Sequence, residues 1–239
     1  MFDLDPLSWI LWSDESLVVV NKPAGLPTLP DGYHPEAPHL KEIMQAALGP
    51  VWVAHRLDKE TSGVLALARS AEAHRRLNTQ FEQRQVSKVY HALIAGSPEW
   101  EEKTVRLPLR INVGHKHRTA VDPQRGKPAE TDLHVLERLG EYALVEALPR
   151  TGRTHQIRAH LAALGCPILS DDLYGHPVSS KQAGPGDRQE DAGILIARLA
   201  LHARSLAFAH PITGERLRFE APYPADFDDA LATLRNRLG

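Results

Sequence analysis

The chain has 239 residues, 42% of them hydrophobic and 24% charged, with a formal net charge of −2, the profile of a globular protein long enough to bury one large core or two small ones. No apolar run approaches the roughly 20 residues of a membrane span, and the start holds Asp3, Asp5, Asp14 and Glu15 with no Lys or Arg before Lys22, unlike a secretory signal. The single cysteine, Cys166, excludes an internal disulfide and suits a reducing cytoplasm.

In chain order, residues 17–20 are a β-branched apolar run closed by Asn21-Lys22-Pro23-Ala24-Gly25, which predicts a strand and a turn. Residues 26–38, rich in Pro, Gly and His, read as a loop. Residues 39–48 read as a helix stopped by Gly49-Pro50. Short buried strands are expected at 51–54 and 64–68. Ser70 can cap a helix running to about Arg84, with Ala73, Leu77 and Phe81 on one face and His74, Arg75, Arg76 and Arg84 on others. Residues 86–95 alternate loosely and read as a strand.

Residues 103–121 suggest one basic hairpin turning near Asn112-Val113-Gly114. Segments 129–139 and 142–148 flank Gly140-Glu141 as a second hairpin. Residues 154–164 read as a helix with Ile157, Leu161 and Leu164 on one stripe and Gly165 as its stop. Residues 175–193, polar and rich in Gly, Ser and Pro, read as a mobile loop. Strands at 194–209 and 216–220 and a helix at 225–238 complete the pattern. Hairpins outnumber strand–helix–strand units, so an α+β domain on a mostly antiparallel sheet is expected.

Charge is distributed unevenly. Residues 103–118 hold five Lys or Arg and no acid; residues 147–170 hold three Arg, two His and no acid. RNA footprints are local, so a balanced total is compatible with one; scattered solvated charge would give the same counts.

Two segments can carry chemistry. His55-Arg56-Leu57-Asp58-Lys59-Glu60-Thr61-Ser62-Gly63 delivers a carboxylate from the end of a short apolar strand, a position suited to a working group. An Asp that only accepts from the amides of the next turn would look the same. Thr151-Gly152-Arg153-Thr154-His155-Gln156-Ile157-Arg158-Ala159-His160 gathers anion-binding types at a helix start, where amides and Arg forks suit phosphate. Metal ligation finds little support among the 13 histidines. His155 and His160 lie about 140° apart on a helix, so they share no face. His115 and His117 lack a Cys or carboxylate at ligand spacing, and no Walker or dinucleotide glycine pattern occurs.

Together the motifs resemble the RluA-type pseudouridine synthase family. HRLDKETSG is similar to the family's signature, and NKPAG, Ser87-Lys88-Val89-Tyr90, RTGRTHQIRAHLAALGCPILSDDLYG and Leu201-His202-Ala203 with His210-Pro211 follow in the family's order across about residues 15–221. The resemblance implies a single catalytic domain over residues 1–239. It would have a mixed, mostly antiparallel sheet, flanking helices and a central RNA-binding cleft. It implies a cytoplasmic, monomeric enzyme that isomerises uridine in tRNA or ribosomal RNA with no cofactor, metal or obligate protein partner.

Asp58 is the implied catalytic carboxylate, either attacking the anomeric carbon or removing a ribose proton to give a glycal. Arg158 is implied to lower its pKa. Tyr90 is implied to line the pocket, stack on the uracil and assist proton removal from the base. Arg56, on the same side as Asp58 if the strand persists, is expected to fill the space of the flipped base. Arg153, His155, Gln156, Arg106, Arg110, Lys116 and Arg118 are expected RNA contacts.

The sequence departs from the family pattern twice. Only about 15 residues precede the first strand, too few for the small RNA-binding module of many relatives, and Ser170 stands where relatives often have Gly. Two other readings stay open: a non-catalytic RNA-binding or ribosome-assembly protein on the same fold, and a metal-dependent RNA hydrolase.

Overall fold

The computed structural model describes residues 5–32, 34–114, 118–175 and 195–238. Its elements begin with a 3-10 turn (Pro6–Trp9), β1 (Ile10–Ser13), β2 (Leu17–Lys22), α1 (Leu40–Leu48), β3 (Trp52–Val53), β4 (Ser62–Ala68), α2 (Ala71–Glu82) and β5 (Ser87–Ala95). They continue with β6 (Glu102–Val105), β7 (Leu109–Val113), β8 (Arg118–Val121), β9 (Thr131–Leu139), β10 (Tyr142–Pro149), α3 (Gln156–Ala163), β11 (Leu201–Ala209), β12 (Arg216–Glu220) and α4 (Ala225–Asn236). Two compact units emerge: residues up to His91 with Leu201–Pro224, and Ala92–Ala200 with the residues from Ala225. The fold is α+β on a mostly antiparallel sheet, as the pattern of hairpins leads one to expect.

In the first unit β2 and β4 are antiparallel, with Val18 opposite Leu67 and Val20 opposite Leu65. Both are buried on both faces, which explains their unbroken apolar runs. The pleat sorts them into two cores. Leu17, Val19, Val64, Ala66 and Ala68 pack with Ala73 and Leu77 of α2. Val18, Val20, Leu65 and Leu67 pack with Leu40 and Met44 of α1 and with Leu57. The other edge of β4 is shared: β3 meets Leu67 and Ala68, and β11 runs parallel to Ser62 and Gly63. Among the pairings described here, this contact is the parallel exception. The Ser70 hydroxyl accepts from the Ala73 N–H at 3.1 Å, capping α2 as its sequence predicts.

In the second unit β9 and β10 form the hairpin expected around Gly140, whose φ of +68° suits glycine. β6 pairs with β9, not with β7, so the basic hairpin is smaller than its sequence suggests: it comprises β7 and β8 alone, as a separate two-stranded sheet. α3 starts at Gln156 rather than at Thr154, because His155 adopts a left-handed conformation with φ of +52° that no helix continues through. α4 buries Phe227, Ala230, Leu231 and Leu234, a helical stripe. No helix among the described residues is long and apolar enough to cross a membrane. The expected loop lies outside the described residues from position 176 onward.

Candidate active site

In the first unit Asp58 lies on the loop between β3 and β4. The strand ends at Val53, so the alternation invoked to align Arg56 with Asp58 does not extend that far. Leu57 is inserted into the core, Arg56 is exposed and Asp58 is half-buried. The loop is immobilised through its main chain. The Thr28 hydroxyl donates to Leu57 O at 3.0 Å and accepts from Leu57 N at 3.2 Å. The Lys22 ammonium, 0% exposed, donates to Pro23 O and Leu26 O at 2.8 Å and to Lys59 O at 3.2 Å. Such a buried charge persists because carbonyls replace its water. Alternation along β2 already points Lys22 inward beside Val18 and Val20, a signal present in the sequence.

The end of the loop is fixed by close approach. A Cβ on Gly63, whose φ is +113°, would stand 2.2 Å from Ala203 O, so the HRLDKETSG motif must end in glycine for β4 to meet β11. Beside it, Ser62 Oγ lies 2.9 Å from His202 Nδ1, and His202 Nε2 lies 3.2 Å from Ala221 O. A carbonyl only accepts, so the ring carries its proton on Nε2 and receives the serine proton at Nδ1 when neutral.

His55 is also structural. Its Nε2 accepts from Ala66 N at 3.0 Å, and its ring stacks on Phe81 with centroids 4.4 Å apart. Burial, with the Lys88 charge added, pushes the imidazole down to about 3, which keeps the accepting nitrogen bare. Burial alone brings Lys88 down to about 8. Tyr90, two residues along β5 from Lys88, packs against the core that holds Leu57. Burial first, then the Asp58 charge, raises its pKa well above that of an ordinary phenol. Tyr90 is therefore a neutral phenol at physiological pH, near enough to Asp58 to feel its field.

In the second unit Arg158, 8% exposed, is held bidentately by Asp171, with Nε to Oδ2 at 2.8 Å and Nη2 to Oδ1 at 2.7 Å. Asp171 Oδ1 also accepts from Leu173 N at 3.0 Å and Tyr174 N at 3.1 Å. The guanidinium lies over the Tyr174 ring, 5.1 Å from its centroid. Gln156, expected to touch RNA, is 4% exposed and spends its amide internally. Its oxygen accepts from Thr151 Oγ1 at 2.6 Å and Arg153 N at 3.1 Å; its nitrogen donates to Glu130 O at 2.8 Å and Thr131 Oγ1 at 2.9 Å. That geometry makes Gln156 a brace for the entry to α3, with no donor left for a ligand.

The acid-free stretches acquire acids on folding. Arg106 pairs with Glu130 at 3.1 Å, Arg110 with Asp122 at 3.2 Å, and Arg150 with Asp132 at 2.7 Å. The basic face is therefore partly neutralised by residues that lie elsewhere in the sequence. Arg118 is exposed. Arg153 is half-buried, its Nε donating to Pro128 O at 3.1 Å. Lys116, with His115 and His117, lies outside the described residues. Ser170 adopts the left-handed conformation that favours glycine, with φ of +55°, and its hydroxyl donates to Ile196 O at 2.5 Å. Among the described residues no three His, Cys, Asp or Glu side chains gather to hold a metal ion.

Comparison with known proteins identifies the family. Residues 16–163 match the family model described as RNA pseudouridylate synthase. A dual-specificity RNA pseudouridine synthase of Haemophilus influenzae is 37% identical, covering 91% of this chain and 94% of that protein. A ribosomal large subunit pseudouridine synthase D of Nitrosomonas europaea is also 37% identical; 95% of this chain aligns, spanning only 65% of that relative's length. The solved structure of human RNA pseudouridylate synthase domain containing 4 superposes with a TM-score of 0.76 at 31% identity, covering 96% of this chain and 94% of that one.

Proposed function

The chain belongs to the RNA pseudouridylate synthase family, and on that premise we propose that it isomerises uridine to pseudouridine in structured tRNA or ribosomal RNA. It does so as a cytoplasmic monomer without metal, cofactor or obligate protein partner. The observation that carries the reading is the half-buried Asp58 on a doubly braced loop, with its charge felt at Tyr90. A carboxylate held this rigidly meets the ribose in one pose, which lowers the entropic part of the barrier.

The reaction breaks the bond between uracil and ribose, turns the base and rejoins it through carbon. Asp58 either attacks the anomeric carbon or takes a ribose proton, and Arg158 is the proposed supporting arginine. Arg56, exposed beside it, fills the stack when the base leaves. Either route neutralises Asp58, by ester formation or by protonation. Tyr90, kept a neutral phenol by burial first and by the Asp58 charge second, lines the pocket and stacks on the uracil while the proton leaves the turned base. Relatives named as ribosomal large subunit and dual-specificity RNA pseudouridine synthases support structured RNA as the substrate class. Arg118, Arg153, His155 and Lys116 contact phosphate or sugar, joined by Arg106 and Arg110 where RNA displaces their acidic partners.

Asp58→Asn tests this. The change is nearly isosteric and removes the charge, so pseudouridine formation should fall below a few per cent of wild type, a barrier increase of about 2 kcal/mol or more. RNA affinity and thermal midpoint should stay near wild type. A variant that keeps substantial turnover on an RNA the wild type modifies removes Asp58 from the role.

A further inference from the structure

The β7–β8 hairpin is a two-stranded sheet of its own. Such a pair is marginal in water by itself, so its attachments decide its pose. Leu109 packs with Ala129 and with Ala159 of α3, and a main-chain bridge joins Leu109 to Lys127. At the other strand the attachments converge on Thr119, which is 2% exposed. Its hydroxyl donates to Thr154 O at 2.8 Å, and its N–H donates to the Tyr174 hydroxyl at 2.6 Å.

We propose that Tyr174 is a positioning residue that ties the pose of the basic hairpin to the poses of His155 and Arg158. The inference rests on the reading of the chain as a pseudouridine synthase whose hairpin touches RNA. Tyr174 reaches three places at once. Its oxygen accepts from the hairpin and lies 3.1 Å from His155 Nδ1, at the entry to α3. Its ring lies beneath the Arg158 guanidinium. Its own N–H donates to the carboxylate that grips Arg158. A shift of the hairpin is therefore felt at the arginine through a single side chain.

Proton placement sharpens the proposal. The Thr119 N–H can only donate, so the phenol oxygen accepts. The phenol oxygen can also accept from an Nδ1–H; we assign the phenol proton to a bare His155 Nδ1, which leaves the ring hydrogen on Nε2. Burial raises the Tyr174 pKa, so this proton is retained at neutral pH. The result is a histidine with a fixed tautomer at the start of α3, with an N–H suited to a phosphate or sugar oxygen.

Tyr174→Phe and Tyr174→Leu separate the two ends of the link. Phenylalanine keeps a ring under Arg158 and loses the hydroxyl. The expected result is faster exchange of the Thr119 amide, a changed His155 tautomer by nitrogen NMR, and a KM for a stem-loop substrate raised about tenfold, the equivalent of 1.4 kcal/mol. Its kcat should fall less than threefold. Leucine removes the ring too, and kcat should drop a further tenfold. Thr119→Val, which removes the hydroxyl's bonds to Thr154 and to Tyr174 but keeps the Thr119 N–H bond to the phenol, should raise KM and leave the His155 tautomer unchanged; it is the control if a Tyr174 variant folds poorly. Unchanged Thr119 exchange and His155 tautomer in Tyr174→Phe would overturn the link. So would equal kcat losses in both Tyr174 variants that track their thermal midpoints. If the wild type converts no uridine in any RNA, the functional reading fails, and the exchange and tautomer measurements still decide the link.

Discussion

The loop around Asp58 and the segment around Arg158 are held in place by opposite means. Around Asp58 the neighbours grip main chain: Lys22, Thr28 and His55 all bond to backbone groups, and Gly63 fits because it has no side chain. Around Arg158 side chains grip side chains: Asp171 holds the guanidinium, Tyr174 lies under it, and Gln156 closes on two threonines. Bonds to the main chain fix the segment on either side of Asp58 without calling on its carboxylate. An arginine with five donors can be clamped on one edge and still present another.

The contrast predicts different failures. Gly63→Ala should be the most damaging, because the added carbon meets main chain at 2.2 Å and cannot move aside. A loss of about 4 kcal/mol or more is expected, and most of the protein should be insoluble or unfolded in urea titrations. A soluble variant with a wild-type midpoint would show that the β4–β11 approach is not as tight as described. Asp171→Asn comes next. It breaks one half of a buried ion pair and should cost about 3–5 kcal/mol, with turnover falling even in the fraction that remains folded. Full turnover at wild-type stability would dissolve the distinction between the two regions.

His55 gives a smaller, pH-dependent effect. A folded pKa near 3 lies below the ordinary 6.5, so its contribution is complete above 6.5 and is lost as pH falls from there toward about 3. The urea midpoint should decline through that window, by about 1–2 kcal/mol at pH 5, and His55→Gln should flatten the decline. A decline equally steep in the variant would assign it to other groups. Ser170→Gly is the smallest. Relief of a left-handed serine, about 1 kcal/mol, is offset by loss of the bond to Ile196 O, also about 1 kcal/mol. The midpoint should move little, and a large shift in either direction would show that one of the two dominates.

The strands buried on both faces and the Ser70 cap were legible in the sequence, because their signals are local: apolar runs and one hydroxyl before a helix. The hairpin of 103–121 was overextended for the same reason. Residues 102–105 look like their neighbours, and only their partners on β9, some 30 residues on, reveal that they belong to another ladder. The ion pairs of Arg106 and Arg110 were hidden likewise, their acids lying outside the basic stretch. At the site, the motifs singled out Asp58, Tyr90 and Arg158. Alternation along β2 gives the inward direction of Lys22 but not its carbonyl partners, and the bracing roles of Thr28 and His55 were not legible, because each acts on backbone groups that every residue possesses. The internal bonds of Gln156 were not legible either, because its side-chain chemistry suits a ligand as well as it suits Thr151 and Thr131.

Lys22 sits where many proteins would place a bound ion. Its ammonium gathers oxygens from two separate stretches of chain, as a hard cation does. Unlike an ion, it is tethered: it has no dissociation constant, cannot be stripped by a chelator and cannot be replaced by a competing metal. The order of the loop that carries Asp58 is thereby uncoupled from the ionic composition of the medium, whereas the phosphate contacts proposed above would weaken as salt rises.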